Sequence, residues 1–160
     1  MTNNNKTLKN FLKKHNACED GYIFAKDLTL EQFLNTCPRG DWILWLFAKI
    51  NPESLKELTL AKGHCANTVR HLMKDDRIVK AVDAAIKFGE GKISKKELDN
   101  VVASTPPVVY AAFAANYFSD AYAAYAPYDS ASYAHAKIQY QKKTANICRK
   151  YLPIEIWNNI

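Results

Sequence analysis

The chain has 160 residues, 48% of them hydrophobic and 24% charged, and a formal net charge of +6. That apolar share is ordinary for a globular protein and excludes a disordered chain. The length suffices to bury one core without a metal or disulfide staple. The positive excess is compatible with an acidic protein or a nucleic acid as partner but selects neither, because lysine-rich solvated surfaces carry the same charge.

Helix signals run along the whole chain. Leu8, Phe11 and Leu12 form a short apolar stripe opposite Lys6, Lys9 and Lys13, which predicts an amphipathic N-terminal helix closed near Gly21. Thr29 with Gln32 is a capping box that opens a short helix through Phe33 and Leu34. Cys37-Pro38-Arg39-Gly40 reads as a turn, with Asp41 as the cap of the next helix. That helix, Trp42 to Ala48, is apolar all round and is expected at the centre of the core. Asn51-Pro52 reads as an N-cap with a proline in the first helical position. Leu55, Leu58, Ala61, Cys65, Val69 and Leu72 then recur at helical spacing.

Asp75 or Asp76 starts the following helix, Ile78, Val82, Ala85 and Ile86 mark its inner face, and Gly89 and Gly91 close it. Ser94 with Glu97 is a second capping box, and Thr105-Pro106 a further helix start. Beyond it the composition changes. Between Ala111 and Ala136, 11 of 26 positions are alanine, and seven of the nine tyrosines lie between Tyr110 and Tyr140. Pro127 divides the region into helices near 106–126 and 129–152, an antiparallel hairpin whose alanines permit close approach and whose tyrosines fill the edges of the seam with hydroxyls near water. No period-two alternation predicts a strand. The expected fold is all-α: one domain over 1–160 of about six to eight helices, with 1–36 as an N-terminal extension on a core at 37–152.

Chemistry-bearing residues are sparse. The four cysteines, Cys18, Cys37, Cys65 and Cys148, form no CxxC pair, and the lysine-rich first fifteen residues contain no apolar signal segment. Reduced thiols in a cytoplasmic protein are expected. The uncharged stretch between Asp99 and Asp120 is broken by Pro106, Pro107 and Asn116 and reads as a soluble helix, so no membrane partner is expected. His64 and His71 could share a helix face, but Cys65 points about 100° away and no third ligand completes a metal site. Asp75-Asp76 reads as helix capping rather than as an acid–base pair. With no phosphate loop, HExxH or Gly-x-Ser-x-Gly motif, neither catalytic residues nor cofactors are expected.

Three groups remain as candidates. Lys142, Lys143, Arg149 and Lys150 share one arc of the last long helix, in a stretch where five basic residues meet no acid, which reads either as a solvated outer face of a basic protein or as a docking face for phosphate or an acidic protein. Tyr122 and Tyr125 could present an aromatic surface. Arginine is scarce, 4 against 18 lysines, so Arg39 or Arg77 is expected to pair with Asp41 or Asp76 between helices.

The run Arg39-Gly40-Asp41-Trp42-Ile43-Leu44-Trp45-Leu46, then His64-Cys65-Ala66, Asp76-Arg77 with Ala81, Ala84 and Ala85, and the Ala/Tyr-rich helix pair resembles a class of immunity proteins of bacterial polymorphic-toxin systems that also occurs in phages. The resemblance covers about residues 37–152. It implies an all-helical domain that binds and neutralises a toxin, or a host enzyme or defence factor, without catalysing a reaction. The alternatives are a nucleic-acid-binding protein that uses the basic C-terminal helix, with a steep salt dependence, and a structural or oligomeric component.

Overall fold

A computed structural model describes residues 6–104 and 130–160. Among these the elements are α1 (Lys9–Lys14), α2 (Glu19–Ala25), α3 (Leu30–Thr36), α4 (Gly40–Ile50), α5 (Leu55–Asn67), α6 (Asp76–Gly89), α7 (Lys95–Ala103) and α8 (Ser130–Tyr151). Short 3-10 turns follow α5 at Arg70–Leu72 and α8 at Ile154–Ile156. The fold is all-helical. Its described residues hold no strand, only an isolated antiparallel bridge between Thr7 and Thr29.

Several boundaries follow from local chemistry. The Gln32 amide donates to Thr29 Oγ1 at 3.2 Å and the Thr29 amide to Gln32 Oε1 at 2.9 Å, so both orphan donors at the start of α3 are satisfied. Ser94 and Glu97 repeat the arrangement at α7, at 3.2 and 2.7 Å. Asp75 caps α6 by accepting from the Arg77 amide at 2.9 Å. At the far end Gly91 takes φ +74°, and the Lys92 and Gly91 amides bond the Lys87 and Phe88 carbonyls, a Schellman closure that glycine adopts without a Cβ penalty.

Other boundaries differ from expectation. The N-terminal stretch is two helices, broken where Asn16 turns through φ 53°, and Gly21 lies inside α2. Arg39, not Asp41, occupies the cap position of α4. Asn51 ends α4 instead of opening α5: its amide continues the helix to the Phe47 carbonyl at 2.8 Å, and α5 begins at Leu55. The Asn51 side chain is buried and donates through Nδ2 to the Ile156 carbonyl at 3.0 Å, which ties the C-terminal tail to the end of α4. In that tail Trp157 meets Phe47 edge-on, with ring centroids 4.9 Å apart, and its indole N–H donates to the Leu152 carbonyl at 2.9 Å.

One large cluster joins Leu8, Leu12 and Phe33 of the N-terminal segment to Ile43, Leu46 and Phe47 of α4, to Cys148 of α8 and to Leu152 just beyond it. The N-terminal helices thus share the main core. A second cluster places Tyr140 against Ala66, Val69 and Val82, and a third joins Ala84, Phe88 and Leu98. Tyr140 is fully buried, with its hydroxyl bonded to the Cys65 carbonyl at 3.3 Å rather than held near water. The other arm of the expected Ala/Tyr hairpin, near 106–126, lies outside the described residues.

Candidate functional site

The α4 sequence sets two faces. Ile43, Leu46, Phe47 and Ile50 are buried, whereas Trp42, Trp45 and Ala48 recur every three residues on another side and stay partly exposed. The helix is therefore not enclosed all round, as its composition suggested. Its open side forms one wall of a groove of about 770 Å³. Cys18, Asp20 and Gly21 close it from the N-terminal helices, Phe33 from α3 and Lys62 from α5. That volume is in the range of sites that take a small ligand or a few side chains of a partner.

Electrostatics differ along this wall. Arg39 holds Asp41 through two parallel bonds, Nε to Oδ1 at 3.1 Å and Nη2 to Oδ2 at 2.6 Å. Its guanidinium lies 4.4 Å from the centroid of the Trp42 ring, and Phe24 contacts the same indole at 5.7 Å. The hydrogen bond to Asp41 raises the Arg39 pKa above its ordinary value. The arginine plane is thereby fixed by a carboxylate and a ring together. Lys62 is different. It is half-buried, burial lowers its pKa, and among the described residues it has no hydrogen-bond or ion-pair partner.

Behind α4 lies a set of thiols. Cys37, Cys65 and Cys148 are buried and free. Cys65 Sγ is 3.8 Å from Cys148 Sγ, and the Cys148 thiol reaches the Gly40 carbonyl at 3.6 Å. Burial pushes the Cys37 pKa up to about 11, and contact with Cys65 together with burial holds Cys148 well above the ordinary thiol range. Both stay protonated at neutral pH and are poor nucleophiles. Among the described residues no group of three His, Cys, Asp or Glu side chains is placed to hold a metal ion. His64 and His71 do not share a helix: His71 lies in the 3-10 turn, and His64 stacks on Tyr151 with centroids 4.1 Å apart.

The basic arc of the last helix divides. Lys142, Lys143 and Lys150 are exposed, and Lys150 also lies 5.3 Å from the Tyr151 ring. Arg149 turns inward, so its place in an exposed docking face is corrected. Its Nε donates to the Leu34 carbonyl at 2.5 Å, Nη2 donates to the Cys37 carbonyl, and Nη1 to Asn146 Oδ1 at 2.9 Å. The last carbonyls of α3 lack intrahelical donors, and a guanidinium meets several of them at once. Tyr122 and Tyr125 lie outside the described residues.

One of the expected arginine pairs forms, though not between helices, and Arg77 takes another partner. Arg39 does bind Asp41, but within one helix start rather than between helices. Arg77 pairs with Asp75, through Nη2 to Oδ2 at 2.7 Å, and Asp76 is exposed. Among the described residues, the ion pair that joins separate elements is Arg70 with Asp83, from the 3-10 turn to α6, with bonds of 2.7–2.8 Å. Each of the four arginines thus has side-chain or backbone acceptors, although scarcity suggested pairing only for Arg39 or Arg77. The groove itself escaped sequence reading, although Trp42 and Trp45 at i, i+3 with Lys49 beyond them carried its trace.

No described helix is long and apolar enough to cross a membrane. The chain matches no family model, and neither curated proteins nor solved structures show similarity to it.

Proposed function

We propose that this chain is a non-catalytic protein-binding module that inhibits a toxin or host factor by occupying its surface. The observation that carries this reading is the groove beside α4, where two indoles remain partly open next to a guanidinium already fixed in place. Tryptophan and arginine are the side chains most enriched at the energetic centres of protein interfaces, because a large rigid surface is buried there at low entropy cost. Arg39, Asp41, Trp42 and Trp45, which belong to one of the strings that resemble immunity proteins, line this wall. The nucleic-acid reading loses support, since Arg149 is committed to α3 and three lysines remain on the arc.

The test is affinity capture from the source cell with the whole chain as bait, followed by identification of the bound protein by mass spectrometry. Capture is expected to survive Lys142→Glu with Lys143→Glu and to be lost with Trp45→Glu. Hydrolysis of a nucleotide or peptide by the purified chain, abolished by one polar substitution, would refute the reading.

A further inference from the structure

Folding removes water from a charged side chain only at a cost, which an ion pair or hydrogen bonds normally offset. Lys62 is half-buried in the groove wall and, among the described residues, has no such partner. The nearby charges do not supply one. Both oxygens of Asp41 are taken by Arg39, and Asp20 is solvent-exposed on the N-terminal side of the groove. Lys49, also on the groove, adds a second cation at its exposed edge. The groove thus combines an apolar indole wall with an ammonium that has lost water and gained no acceptor among the described residues.

We propose that the Lys62 groove binds an acidic peptide segment of the partner protein, with a partner carboxylate on the Lys62 ammonium and an adjacent apolar side chain against Trp42 and Trp45. This rests on the protein-binding reading above and deepens it by naming the recognition chemistry. The carboxylate supplies the acceptor that the fold withholds. An aromatic or branched apolar neighbour fills the indole wall, while Lys49 holds a further acidic residue at the edge. The excess of +6 on the whole chain favours the encounter.

The probe is a short fluorescent peptide that alternates glutamate with phenylalanine, titrated against the full chain by anisotropy. Its counterparts carry glutamine or lysine in place of glutamate. The acidic peptide is expected to bind, and both counterparts to bind far more weakly. Lys62→Met is expected to weaken the acidic peptide by about ten- to a hundred-fold, the loss typical of one buried charge-assisted contact. Lys142→Glu with Lys143→Glu leaves it within about two-fold, the size expected of remote exposed charges at moderate salt. Lys62→Gln and thermal melts separate lost binding from lost folding. On the unaltered chain, bound peptide should protect the Lys62 amine from acylation, read by mass spectrometry.

No binding of the acidic peptide, equal binding of the glutamine counterpart, or indifference to both Lys62 variants overturns the proposal. So does tighter binding of a single-stranded oligonucleotide at the same groove. A cellular partner captured through Trp45 but insensitive to Lys62→Met overturns the role of Lys62 and leaves the binding-module reading standing. Lys62-dependent peptide binding by a chain that also turns over substrate supports the groove assignment and overturns the non-catalytic reading alone.

Discussion

Gly40→Ala would put a methyl group 2.5 Å from Thr144 Oγ1 and 2.7 Å from both the Thr144 carbonyl carbon and Cβ. Rotating the threonine relieves only the hydroxyl contact, because the other two atoms are backbone or fixed to it. Ordinary contact begins near 3.4 Å, so α4 and α8 must part by roughly 0.7 Å at this crossing. The crossing is lined by Cys37, Cys65 and Cys148, all nearly or fully buried, and interiors packed to ordinary density resist such a shift. Overpacking of this kind costs about 1–3 kcal/mol. Alanine recovers about 0.5–1 kcal/mol of backbone entropy in a helix, leaving a net loss of about 0–2.5 kcal/mol, with a mid-range value of about 1 kcal/mol. In a chain of this size the mid-range loss lowers Tm by about 2–4 °C. Urea unfolding followed by circular dichroism should show a lower midpoint with unchanged slope. Thr144→Ala should rescue part of the loss in the double variant, since it removes the hydroxyl but not the Cβ or the backbone atom. A Tm equal to or above that of the unaltered chain would refute the contact between these helices.

The remaining predictions concern polar groups. Arg149→Met removes the donors to the Leu34 and Cys37 carbonyls and should destabilise by about 1–3 kcal/mol for each one left unsatisfied, while Lys142→Glu with Lys143→Glu should stay within about 0.5 kcal/mol. Equal denaturation midpoints for the two variants would contradict the inward placement of Arg149. Hydrogen bonds from Arg77 hold the Asp75 carboxyl below its ordinary 3.8, and those from Ser94 hold Glu97 below its ordinary 4.5. A depressed folded-state value means that the unfolded chain binds the proton first. Both contributions are therefore complete above those ordinary values and disappear as pH falls through the lower folded ones. Glu97→Gln keeps an acceptor for the Ser94 amide but does not titrate, so its stability should fall less steeply with acid in pH-dependent melts. Cys18 is exposed and the other three thiols are buried, so a maleimide should label the native chain once within minutes and the remaining sites only on unfolding. Rapid labelling of Cys65 or Cys148 in the native state would show that α5 and α8 open there.

The features legible in the sequence are those settled within a few residues along the chain. Thr29 reaches Gln32 and Ser94 reaches Glu97 across three positions, and Gly91 turns a helix end through its own φ. Such contacts need no knowledge of what packs nearby, and the same locality made the all-helical class readable. Asn51 shows the limit. As a sequence symbol it resembles a helix start, but its side chain belongs to a tail carbonyl 105 residues away. Arg149 looks like one more surface cation on a lysine-rich arc, and only the arrival of α3 beside α8 gives it carbonyls to bind. The sequence by itself determined the all-helical class and how α3, α6 and α7 start. The tertiary structure alone decided which polar groups meet, because an acceptor a hundred residues away leaves no trace in local periodicity. It likewise decided that Trp42 and Trp45 stay partly open and that Lys62 is drawn into the same groove without an acceptor among the described residues.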